Sequence, residues 1–78
     1  MKNYNSIQSI KQALKDKNSD IYQDEFFTFK GFECFWADYD YRNPSFDRLR
    51  CDPSTDKQYK DFYSLQKNLE PQIIVDLS

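Results

Sequence analysis

Apolar positions near the start of the chain recur at helical spacing. Ile7, Ile10 and Leu14 lie three and four residues apart, with Tyr4 one turn earlier. Asn5 or Ser6 can accept the first free N–H groups of such a helix, and Lys15 and Lys17 suit the negative end of its dipole. Asn18-Ser19-Asp20 then ends it. From Ile21 the pattern changes to two strand-like runs, about 21–29 and 32–41, that meet at Lys30-Gly31. Gly31 is the one glycine in the protein, and a glycine between two aromatic runs marks a hairpin turn that needs positive φ. A two-residue type I′ turn and a three-residue loop both fit, and they differ by one residue in strand register.

Arg42-Asn43-Pro44-Ser45 reads as a turn. Residues 46–51 can form a third strand, with Phe46, Arg48 and Arg50 on one face and Asp47, Leu49 and Cys51 on the other. A second helix opens at Thr55, which has capping-box spacing to Gln58. Tyr59, Phe62, Leu65 or Gln66, and Leu69 are expected to line its inner face with Tyr63 beside them, and Glu70-Pro71 ends it. Ile73, Ile74 and Val75 make a final β-branched strand. The expected fold is a single α+β domain over residues 1–78. Two helices cover one face of a small antiparallel sheet of three to four strands, in the order α-β-β-(β)-α-β.

Composition sharpens one part of this picture. Apolar residues are only 38% of the 78 residues, so the core depends on rings, which make up 18%. The rings are concentrated: residues 26–41 hold eight of the fourteen. Phe32, Cys34, Trp36, Asp38 and Asp40 fall on one face of the second strand, and Glu33, Phe35, Ala37, Tyr39 and Tyr41 on the other. Both faces of the hairpin are therefore aromatic, and two short helices cover only one. The other is closed by a loop, by the 42–53 segment or by a second copy of the chain, or it is a binding surface.

Charge separates these alternatives. The chain is −2 overall, but residues 21–41 carry five acids against one lysine, a local −4. Lys30-Gly31-Phe32 is similar to the opening of the RNA-recognition-motif signature. The similarity ends at Glu33 and Cys34, where a small residue and an aromatic belong, and residues 1–4 look too short for the N-terminal strand that should carry the second motif. A nucleic-acid stacking platform also needs a positive groove. An acidic aromatic strand end suits a basic protein surface better.

Catalytic chemistry is sparse. The chain has no histidine, so the commonest general base and metal ligand is missing. Two cysteines do not complete a zinc site, and Asp38 and Asp40 with Asp47 or Asp52 lack specific cation-loop spacing. Arg42, Arg48 and Arg50 are expected to pair with Asp47 and Asp52. No catalytic residue, metal ligand or cofactor is expected. With no secretory h-region and no apolar membrane span, a cytoplasmic setting with reduced Cys34 and Cys51 is expected.

The function these features imply is that of a small non-enzymatic interaction protein. An inhibitor of the anti-defence or immunity type is the most concrete version, and in size and composition the chain resembles small phage-encoded, anti-CRISPR-like inhibitors of host defence nucleases. The expected partner is a protein with a basic surface, such as a nucleic-acid-binding or nuclease protein. Trp36, Asp38, Tyr39, Asp40 and Tyr41 are the expected contact residues. The alternatives are an RNA-recognition-like nucleic-acid binder and a homodimeric structural protein.

Overall fold

In the computed structural model, residues 2–16, 18–23, 26–37, 48–70 and 72–78 are described, without the side chains of Gln23 and Ala37. The expected turn at 42–45 and positions 38–41 of the second strand lie outside these residues, as do Lys17 and Pro71. The elements are β1 (Lys2–Tyr4), α1 (Ile7–Lys15), α2 (Asp20–Gln23), β2 (Phe27–Phe29), β3 (Phe32–Ala37), β4 (Arg48–Asp52), α3 (Asp56–Leu69) and β5 (Ile74–Leu77).

Local signals act where they were expected. Ser6 caps α1 by accepting from Ser9 N–H at 3.2 Å. Thr55 and Gln58 form a reciprocal capping box on α3, and each satisfies a donor of the helix start. Lys30 and Gly31 have φ of 48° and 95°. Two positive φ values between the paired residues Phe29 and Phe32 make the turn type I′, which settles the register in favour of the two-residue loop. The turn rests on α3: Lys30 Nζ lies 3.7 Å from Asp61, which also pairs with Lys57 at 3.0 Å.

The sheet departs from the expected one in two respects. It has five strands, and it is mixed: β1 and β2 are parallel, β2–β3 and β3–β4 antiparallel, and β4 and β5 parallel, in the spatial order β1-β2-β3-β4-β5. The N-terminal strand, judged too short to exist, is Lys2–Tyr4. Tyr4 belongs to this strand and not to the helical stripe its spacing predicts. Its side chain is buried against Phe27, with ring centroids 5.4 Å apart, and its carbonyl accepts from Lys30 N–H, so strand pairing overrides the helical spacing. Residues 20–23 form the short helix α2 instead of the start of a strand. This turn places Ile21 in the core and lets the Tyr22 hydroxyl donate to the Leu14 carbonyl at 2.6 Å.

The topology explains why the three helices among the described residues share a face. β1 to β2 and β4 to β5 are parallel steps between strands of one sense, and both step the same way across the sheet. Right-handed crossovers of that kind put their helices on the same side. Beneath them the strands contribute Tyr4, Phe27, Phe29, Phe32, Cys34, Leu49, Cys51 and Val75, and the helices contribute Ile10, Ile21, Phe62, Leu65 and Leu69. Leu14, also expected in the core, is half-buried at its margin.

Candidate functional site

The alternation of β3 divides its aromatics as the strand period requires. Phe32, Cys34 and Trp36 face the helices, while Glu33 and Phe35 face the opposite side. Trp36 is half-buried and meets the edge of the Tyr22 ring at 5.0 Å, so its indole closes one end of the core. Asp38, Tyr39, Asp40 and Tyr41 follow directly on β3 in sequence and lie outside the described residues. Of the five expected contact residues, Trp36 alone can therefore be placed, and among the described residues its ring meets Tyr22. Phe32, the third position of the Lys30-Gly31-Phe32 triplet, is also on the helix side and is 2% exposed, out of reach of a stacking base.

The opposite face of the sheet carries no helix among the described residues. At its centre Phe26 and Phe35 meet edge to face, centroids 5.5 Å apart, and Phe26 is 39% exposed. Thr28 and Asn3 join by a side-chain hydrogen bond on the β1 side of these rings. Glu33 of β3 and Asp52 of β4 stand directly opposite each other, both exposed. Neither pairs with a cation among the described residues. Like charges across a ladder oppose folding, so this pair is maintained against a local cost. The sequence did not bring Glu33 together with Asp52, nor Phe26 with Phe35, because the β3–β4 and β2–β3 registers had to be known first.

At the β4–β5 end of the same face one carboxylate lies between two arginines. Asp76 of β5 pairs with Arg48, and its other oxygen lies 3.6 Å from Arg50 Nε, an ionic contact longer than a hydrogen bond. The expected partners were Asp47 and Asp52. Asp47 lies outside the described residues, and Asp52 makes no such bridge because Arg48 and Arg50 are in register with Ile74 and Asp76. The face is thus acidic and aromatic over the hairpin and internally paired at its far side.

Two further surfaces matter. On α3, Tyr59 and Tyr63 were expected at the inner face; they are 36% and 56% exposed, with their rings 6.4 Å apart. Phe62, Leu65 and Leu69 fill the inner stripe without them. The free edge of β5 is blunted. Ser78 N–H donates to the Cys51 carbonyl, so the peptide groups of Val75 and Leu77 alternate outward. The Val75 carbonyl accepts from Gln66 Nε2 at 2.8 Å and the Leu77 carbonyl from Arg50 at 3.0 Å. Carbonyls already engaged by side chains make a poor template for another strand.

Among the described residues no three His, Cys, Asp or Glu side chains gather as a metal site, and no helix is long and apolar enough to cross a membrane. Fold and surface together define a small α+β domain with a five-stranded mixed sheet and an acidic aromatic face. Comparison with protein-family profiles, curated proteins and solved structures finds no match to the chain.

Proposed function

We propose that this chain is a small, non-enzymatic interaction protein that docks its acidic aromatic hairpin on a basic surface of a partner protein. An inhibitor of the anti-defence or immunity type, acting in the cytoplasm on a nucleic-acid-binding or nuclease protein, is the form of this reading that best fits its size and charge. The observation that carries it is the ring pair Phe26–Phe35 beside the opposed carboxylates Glu33 and Asp52. The exposed Phe26 ring, with half-buried Phe35 against it, supplies contact area, and carboxylates with no cation beside them among the described residues favour a cationic neighbour. Asp38, Tyr39, Asp40 and Tyr41 extend the same composition beyond the end of β3, and Trp36 supports that strand end from the helix side.

The test compares capture from lysate by wild type, by Asp38→Lys with Asp40→Lys, and by Phe26→Ser with Phe35→Ser, each first confirmed to be folded. A basic protein retained by wild type, lost with rising salt and lost in both variants is the expected result. Equal capture by all three, with the same salt dependence, refutes the hairpin as the binding surface. Salt-sensitive retention of bare RNA or DNA by the purified chain would instead favour the nucleic-acid reading.

A further inference from the structure

Cys34 of β3 and Cys51 of β4 are direct cross-strand partners, and both are buried, at 0% and 1% exposure. Their backbone relation follows from the bond on the other side of β4. The Cys51 carbonyl accepts from Ser78 N–H at 2.8 Å, so the peptide groups of Cys51 point to β5 and away from β3. Cys34 and Cys51 therefore form a non-hydrogen-bonded pair of the antiparallel ladder, the kind in which Cα atoms approach to about 4.5 Å and side chains are closest. That spacing lies inside the range a disulfide spans, about 4.4–6.8 Å between Cα atoms. The two side chains lie on the same buried face of adjacent strands, and the neighbouring Cys34 thiol together with burial raises the Cys51 pKa above the ordinary thiol value. Both thiols are free in this structure.

We propose that Cys34 and Cys51 are a dithiol–disulfide site, a cross-strand pair that a low-molecular-weight disulfide such as oxidised glutathione converts to an intramolecular bond within the existing sheet. One thiol loses its proton and attacks a sulfur of the oxidant, which releases one reduced small thiol and leaves a mixed disulfide. The second thiol then attacks the protein sulfur of that mixed disulfide and releases the other small thiol. The protein gives up two protons and two electrons, and the oxidant leaves as two thiols. Because protonated, buried thiols react slowly, exchange proceeds through local opening of the β3–β4 end, and urea below the unfolding midpoint accelerates it. The bond closes a covalent loop around residues 35–50, the stretch that holds Asp38, Tyr39, Asp40 and Tyr41.

The decisive measurement is the equilibrium of the full chain with mixtures of reduced and oxidised glutathione. It is made in native buffer and in concentrated urea, and approached from both the reduced protein and protein oxidised in urea and then refolded. Intact mass distinguishes the intramolecular disulfide, two hydrogens lighter, from glutathione adducts and dimers. Chain-entropy arguments for a loop of this length put the native effective concentration of the two thiols on the order of a hundredfold above that in urea. By linkage the oxidised chain then unfolds at a higher urea concentration than the reduced chain. A native value equal to or below the urea value overturns the proposal, as do adducts or dimers as the main native product.

Discussion

Glu33→Lys tests whether the acidic pair on the helix-free face is held at a cost to the fold. Glu33 and Asp52 are exposed and in direct register. At a carboxylate separation of roughly 6 Å in water, two unit charges interact by about 0.7 kcal/mol before screening. Screening over Debye lengths of about 30, 8 and 3 Å reduces this to about 0.6, 0.3 and 0.1 kcal/mol at low, physiological and 1 M salt. Lysine at position 33 removes the repulsion and adds an attraction of the same size. The expected gain in stability is therefore about 1 kcal/mol at low salt, about 0.6 at physiological salt and about 0.2 at 1 M. With a urea slope of about 1 kcal/mol/M for so small a chain, the unfolding midpoint should rise by roughly 1 M at low salt. Trp36 fluorescence reports the transition, because its indole packs against Tyr22. The same substitution should weaken partner capture if the face binds a basic surface. A midpoint that falls, or a gain that does not shrink with salt, refutes the electrostatic reasoning.

Three further outcomes are expected in the folded protein. Phe62→Ala should cost about 3–5 kcal/mol, because the ring is buried between α3 and the sheet, and an unchanged denaturation midpoint would count against that packing. Gly31→Ala should cost about 1–2 kcal/mol from backbone strain at φ 95°, measured as a lower urea midpoint, while far-UV circular dichroism keeps its shape. Asp76→Asn should cost about 1–2 kcal/mol by leaving Arg48 and Arg50 without their shared carboxylate, and the loss should be smaller in the double variant with Arg50→Gln; a strictly additive double variant would show that Asp76 and Arg50 are not coupled.

The chain's local grammar was legible because its causes are short-range. Ser6 and Thr55 cap helices through bonds to residues three positions on. Lys30-Gly31 turns the hairpin because a type I′ turn needs two positive φ values, and alternation along β3 and β4 divides core from surface residues without further information. The helix register was legible for Phe62, Leu65 and Leu69, and the concentration of acids and rings in residues 21–41 was plain from composition alone. What only the tertiary structure decided rests on partners far apart in sequence. Lys2–Tyr4 is a strand because the edge of β2 receives it, although its three residues hold one apolar side chain that fitted a helical stripe equally well. Ile21 and Tyr22 leave the strand pattern because the core has room for one and Leu14 has a carbonyl for the other. Asp76 and not Asp52 lies against Arg48 and Arg50, Trp36 turns inward onto Tyr22, Glu33 faces Asp52 and Cys34 faces Cys51, all through the order and register of five strands. Register is a non-local property: periodicity tells which side of a strand a residue takes, but the residue it meets there depends on which strand lies alongside and on the step between them.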